Sequence, residues 1–269
     1  MKKMKIGFTG YLKLDAPDFW QNVEELGKLG FQGMEHAAGL IEQEGGFDNI
    51  KRLRDLGLQP LTSATDLDKL RANGIGDAVE MAHKLDVDNI SIYSCSIIKG
   101  MDGKGVVTYD QYMKDIEDIS KFATAIKNEG LTMRYHNHAA EFRMYYDGMT
   151  AFEKLVRNAP DLQILLDVGW VAMGSYDPVR CLREWAPRMA ALHLKDMQYA
   201  PLRSEWGQEY HNHFTSLGTG VVDIRGCMQA AIDYDITWGI MEQDSLNNLS
   251  AMDTLRTSYC NLKEYGLAE

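Results

Sequence analysis

The stretch QILLDVGWVAMGSYDPVRCLREWAPRMAALHL, residues 163–194, reads as strand, helix, strand. Gln163 to Asp167 is a short apolar run that closes on a carboxylate. Asp177-Pro178 opens a helix that runs through Trp185. An aspartate there accepts hydrogen bonds from the first free N–H groups, and proline has no N–H to waste at the first helical position. Ala190 to Leu194 is a second apolar run. Two short strands, apolar on both faces and joined through a helix, imply a parallel pair buried under a helical crossover.

The same unit recurs in both directions. Further strands are predicted at Lys5 to Thr9, Gly33 to Glu35, Gln59 to Ser63, Asn89 to Tyr93, Leu131 to His136 and Trp238 to Glu242. Amphipathic helical spacing fills the gaps: Pro17 to Leu29, Gly46 to Leu56, Asp66 to Leu85 with a break at Gly74 and Gly76, Tyr112 to Glu129, Thr150 to Asn158, Asp223 to Ile232 and Met252 to Tyr265. Gly30, Gly57 and Gly130 each follow a helix and precede a strand, where a left-handed C-cap belongs. Eight strand–helix units in 269 residues fill a closed (β/α)8 TIM barrel, an α/β fold, as a single domain over 1–269. A doubly wound open sheet is the alternative, but no GxGxxG or GxxxxGK[ST] follows the first strand.

Composition narrows the function. Apolar residues make up 45% and charged residues 25%, as in globular proteins. The net charge of −11 argues against nucleic acid and anionic lipid as partners. No apolar run approaches the ~20 residues that span a bilayer, so no membrane role is expected. The basic start, Met1 to Lys5, runs into a strand without a signal-peptide core. Cys95, Cys181, Cys227 and Cys260 are far apart and form no CxxC pair, which reads as reduced, mostly buried thiols in a cytoplasmic protein. The 15 methionines read as core filler.

In such a barrel the active site lies at the C-terminal ends of the strands. Strand five ends Tyr135-His136-Asn137-His138, strand six ends at Asp167, strand seven ends His193-Leu194-Lys195-Asp196 and strand eight ends at Glu242. Imidazoles and carboxylates thus meet on one rim. Each has a plainer role open to it: a hydrogen-bonded histidine, a capping Asp167, an ion-paired Glu242. Their recurrence on four successive strands points to one divalent metal ion. Mixed N and O ligands suit Mn, Co, Zn or Fe better than Mg.

These residues carry a resemblance. YHNHAAEF at 135–142, LLDVGWVAMGSYDPV at 165–179, HLKDM at 193–197, LGTGVVD at 217–223 and MEQD at 241–244 resemble the sugar phosphate isomerase/epimerase group of xylose isomerase-like TIM barrels, from Lys5 to about Glu264. The resemblance implies that Asp167, His193 and Glu242 are metal ligands. Where ketose epimerases end strand five in a ligating glutamate, this chain has His136, with His138 on the same side. His136 is read as the fourth ligand and His138 as substrate contact or proton carrier. One of the family's two acid/base glutamates is then missing. Glu242 remains, with His138, Glu141 or Lys195 as the second group.

The implied activity is metal-dependent isomerisation or epimerisation of a small keto-sugar or polyol through an enediolate held by the metal. Loss of a β-oxygen instead would make a dehydratase or lyase, an outcome that the His-x-His pattern of inosose dehydratases raises. A non-catalytic carbohydrate-binding barrel is a further alternative. A phosphodiesterase like endonuclease IV is disfavoured, because strands three and four end without histidine. Glu35, His36, Trp170 and His211 are candidate substrate contacts, and the segment Met197 to Leu217 is a candidate lid. Lys195 and Asp196 either pair with each other or face substrate, and Gly218 and Gly220 form either a phosphate cradle or an ordinary loop. The family also leaves a homo-oligomer open.

Overall fold

The computed structural model describes residues 2–98, 106–198, 213–246 and 249–269. Its strands are β1 (Lys5–Phe8), β2 (Gly33–Met34), β3 (Gln59–Pro60), β4 (Ser63–Thr65), β5 (Asn89–Ile92), β6 (Thr132–His136), β7 (Tyr145–Tyr146), β8 (Met149–Thr150), β9 (Gln163–Asp167), β10 (Met189–Leu194), β11 (Asp196–Gln198), β12 (His213–Thr215) and β13 (Trp238–Met241). The helices are α1 (Phe19–Leu29), α2 (Asp48–Asp55), α3 (Leu67–Asn73), α4 (Gly76–Leu85), α5 (Tyr109–Asn128), α6 (Ala140–Arg143), α7 (Ala151–Asn158), α8 (Val168–Met173), α9 (Pro178–Trp185), α10 (Ile224–Asp233) and α11 (Ala251–Glu264).

Nine strands form one parallel sheet in the order β3-β2-β1-β13-β10-β9-β6-β5-β4. Its two ends, β3 and β4, are consecutive on the chain, so the sheet curls until its edges meet at Leu61-Thr62. This is the TIM barrel expected from the strand–helix repeat. One strand departs from expectation. The third is split in two and reaches Thr65 rather than ending at Ser63. Pro60 has no N–H to give to a ladder. At Leu61 the backbone changes neighbours: its N–H donates to Met34 O (3.1 Å) and its carbonyl accepts from Asn89 Nδ2 (2.9 Å).

Leu61 also fills the barrel. With Leu165, Ala191 and Ile240 it forms an inner apolar layer. Gly7 and Gly33 make room for it: a Cβ on Gly7 would lie 2.6 Å from Leu61 Cδ1, and one on Gly33 2.7 Å from Leu61 Cγ. The larger apolar core lies between the sheet and the helices. The expected helix break falls between α3 and α4, and α5 and α7 begin with capping boxes at Thr108/Gln111 and Thr150/Glu153. Two short ribbons were not expected. β7 and β8 form a hairpin across Asp147-Gly148, both at positive φ, and β11 pairs antiparallel with β12 inside the segment read as a lid. Cys95, Cys181 and Cys227 are buried, Cys260 is exposed, and all four are free. No described helix is long and apolar enough to cross a membrane.

Candidate metal centre

Strand parity places the site. Leu165, Ala191 and Ile240 point into the barrel, so Asp167, His193 and Glu242, two residues further on, point the same way one layer higher. His136 joins them from the end of β6. One ligand atom from each of His136, Asp167, His193 and Glu242 lies within 4.8 Å of all the others. His136 Nε2 is 3.9 Å from Asp167 Oδ2 and 3.9 Å from Glu242 Oε2, while His193 Nδ1 is 2.7 Å from Glu242 Oε2. Asp167 caps α8, its Oδ1 accepting from the Trp170 N–H (2.7 Å), while its Oδ2 faces the cluster.

The donor set fits a transition metal. It offers two imidazole nitrogens and two carboxylate oxygens, all but Glu242 fully withdrawn from water. Ligand atoms sharing an ion at about 2.1 Å stand at most about 4.2 Å apart. The 3.9 Å pairs meet that limit as they are, and the widest separation needs only a small contraction.

Lys195 lies beside the cluster with its side chain fully buried. Its Nζ is 2.9 Å from Asp167 Oδ2, 3.1 Å from Glu242 Oε2 and 2.6 Å from Asp244 Oδ2. It does not pair with Asp196, because consecutive strand residues face opposite ways. Instead, Asp196 fills the loop after β12. Its Oδ2 accepts from Gly218 N (3.0 Å) and Gly220 N (2.9 Å), and its Oδ1 from Met197 N (2.9 Å) and Val222 N (3.1 Å). The glycine turn is therefore no phosphate cradle; the chain's own carboxylate occupies it. Gly169 has a steric reason. A Cβ there would lie 2.7 Å from Lys195 O and 2.8 Å from Lys195 Cβ.

These neighbours set the charges. Burial opposes a charged Glu242, but the adjacent His193 and Lys195 hold its carboxyl well below the usual range. Burial raises Asp167 to about 7, against the pull of Lys195. Burial also disfavours a charged His193, yet Glu35 and Glu242 outweigh it and raise the imidazole to about 10. His136, buried beside His193, is held neutral, well below the usual histidine range.

The other expected site residues divide. Glu35 is buried and bonds His193 Nε2 through Oε2 (2.8 Å), so it lies behind a cluster histidine rather than on the substrate rim. His36 is exposed, at φ 54°, with its ring 5.0 Å from that of Tyr93. His138 sits at the rim, its ring 4.9 Å from His136 and 5.5 Å from Trp170. Trp170 packs edge-on to Phe214, with Lys195 Nζ 4.7 Å from its ring centre. Glu141 is turned inward, where Tyr135 OH donates to Oε1 (2.6 Å) and the His138 N–H donates to Oε2 (3.0 Å). Both oxygens thus brace the strand-five turn. His211 lies outside the described residues.

Sequence reasoning missed Tyr93, Asp244 and Phe214. Tyr93 packs 5.5 Å from His136 and donates to Glu35 Oε2 (3.3 Å). It is the residue just after β5, so the strand-end rule could have found it. Asp244 and Phe214 are brought in by loop paths that periodicity does not encode.

A family model described as xylose isomerase-like TIM barrel matches residues 23–256, and the chain belongs to that family. No curated protein matches it. Among solved structures it is similar to a sugar phosphate isomerase/epimerase from Parabacteroides distasonis ATCC 8503 (17% identity, 97% of this chain and 96% of that one, TM-score 0.74). It is also similar to the probable 3-DHS dehydratase AsbF from Bacillus anthracis (15%, 97% and 99%, TM-score 0.72). A third is the IolI protein with a bound zinc atom (13%, 97% and 98%, TM-score 0.72). At these identities the likeness is one of fold.

Proposed function

We propose that this protein is a metal-dependent isomerase or epimerase of a small keto-sugar or polyol, with one divalent ion held by His136, Asp167, His193 and Glu242. The observation that carries the reading is the convergence of these four side chains, from four different strands, within 4.8 Å. Electrostatics supports it: the carboxylates of Asp167, Glu242 and Asp244 gather around Lys195, and Glu35 and Glu242 flank His193, so four carboxylates face two cationic groups. A bound divalent ion offsets that surplus, polarises a substrate carbonyl and acidifies the neighbouring C–H.

The protein's own groups handle the proton. Glu242 is ionised and its side chain is 19% exposed, so it reaches the mouth as a base. His138, at the rim on the strand-five side, supplies the second acid/base group that a glutamate supplies in ketose epimerases. Lys195 balances charge and holds Asp167 and Glu242 in place. Glu141 drops out of the acid/base set, since both its oxygens are engaged inside the protein. Trp170 and Phe214 offer an apolar wall for a sugar ring. The filled Asp196 nest favours a neutral sugar over a phosphorylated one.

Two measurements test this. Elemental analysis should find close to one equivalent of transition metal, lost in Asp167→Ala and His193→Ala while the far-UV spectrum is kept. A wild-type protein that stays metal-free after Mn soaking sinks the assignment. Proton NMR in D2O with a panel of keto-sugars then reads the reaction. Deuterium exchange without loss of water supports isomerisation, an enone product would mean a dehydratase or lyase, and exchange with no member would leave a binding barrel.

A further inference from the structure

Asp167 Oδ2 and Glu242 Oε2 are the carboxylate oxygens that face His136 Nε2 across the cluster. The same two oxygens lie 2.9 Å and 3.1 Å from Lys195 Nζ. Asp167 Oδ2 is closed to solvent, with the ammonium against it. None of the three carboxylate contacts of Lys195 has the angles of a directed hydrogen bond. The ammonium is therefore held by charge. A divalent ion brings twice that charge to the same oxygens, and two cations on one pair of buried oxygens repel with little water to screen them.

The side chain has somewhere to go. Its base is fixed, because a Cβ on Gly169 would lie 2.8 Å from Lys195 Cβ and 2.9 Å from Lys195 Cγ. The far end of the flexible stem is what turns. Asp244 Oδ2, at 2.6 Å, is already its shortest carboxylate contact. Asp244 is outside the four-residue cluster, and its side chain is 41% exposed. The rings of Trp170 and Phe214, centred 4.7 Å and 5.3 Å from Nζ, add cation–π partners.

We propose that Lys195 is an internal competitor of the ion. Its ammonium neutralises Asp167 and Glu242 until an ion takes their oxygens, and then withdraws to Asp244 at the mouth, where it faces substrate. This rests on the metal-site reading above. The test is calorimetric Mn titration of the full chain at one pH. Lys195→Met should bind Mn about tenfold to a hundredfold more tightly than wild type. Asp244→Asn removes the place of withdrawal, so it should weaken Mn several-fold in the wild type and hardly at all in Lys195→Met. An Asp244 that acts on the ion through charge alone would weaken Mn equally in both backgrounds, and that result overturns the proposal. So does a Lys195→Met no tighter than wild type. A wild type that binds no Mn overturns the metal site itself, and this proposal with it. If Lys195→Met does not fold, Lys195→Gln carries the same comparison, and unchanged affinity in Asp244→Asn overturns the proposal on its own.

Discussion

Metal binding at this site should release protons, and the structure sets their number. Both ring nitrogens of His193 face carboxylates: Nδ1 is 2.7 Å from Glu242 and Nε2 is 2.8 Å from Glu35. Burial works against the cation, but these two partners raise the imidazole to about 10. Nδ1 cannot ligate while it carries a proton. Below pH ~10, therefore, an incoming ion must displace one proton, and its apparent affinity should rise about tenfold per pH unit. Between pH 7.5 and 10 that amounts to roughly 3 kcal/mol, or about 300-fold in Kd. Asp167, raised by burial to about 7, adds a second proton as the pH falls below neutrality. His136, held neutral, adds none. Calorimetric Mn titrations in buffers of different ionisation enthalpy count the protons directly. We expect close to one at pH 8 and a value approaching two at pH 6. Glu35→Gln removes one of the two carboxylates, so release at pH 8 should fall below one although no proposed ligand is altered. No proton release at pH 8, with Kd flat from pH 7 to 9, refutes the reasoning.

Two further predictions concern stability. Burial raises Glu141 to about 7, partly offset by the hydrogen bonds from Tyr135 and from the His138 backbone. A carboxyl raised on folding stabilises fully below its unfolded value and loses that contribution as pH climbs through the folded one. The wild type should therefore lose up to roughly 3 kcal/mol between about pH 4.5 and pH 7, and Glu141→Gln should flatten that decline; parallel pH–stability curves for the two proteins would count against the buried, titrating carboxyl. Asp196→Asn leaves an amide NH2 facing two of four backbone N–H donors. Urea unfolding should show a loss of about 2–4 kcal/mol, and a loss under ~0.5 kcal/mol would mean that the loop does not depend on that carboxylate.

Much of this protein is local in origin and so was legible in its sequence. Apolar runs ending in polar residues mark the strands because a buried parallel strand needs both faces apolar. The helix between α3 and α4 breaks at Gly74-Ile75 because glycine is free to leave the helix. Period-two alternation carries Asp167, His193 and Glu242 onto the inner face, so their convergence follows once the strand ends are placed. The Asp147-Gly148 turn is equally local, a two-residue hairpin signal between tyrosines and Met149.

Only the tertiary structure decided the partners. Glu35 and His193 are 158 residues apart and meet because β2 and β10 end on the same rim. Lys195 turned to Asp167, Glu242 and Asp244 because adjacent strand residues face opposite ways, which left Asp196 to fill the glycine turn. Glu141, one turn beyond His138, was drawn into the wall by Tyr135. A sequence carries the period of its elements, and hence which side chains share a face. Which of them touch depends on how strands far apart in the chain are staggered around the barrel, and that is a property of the closed sheet.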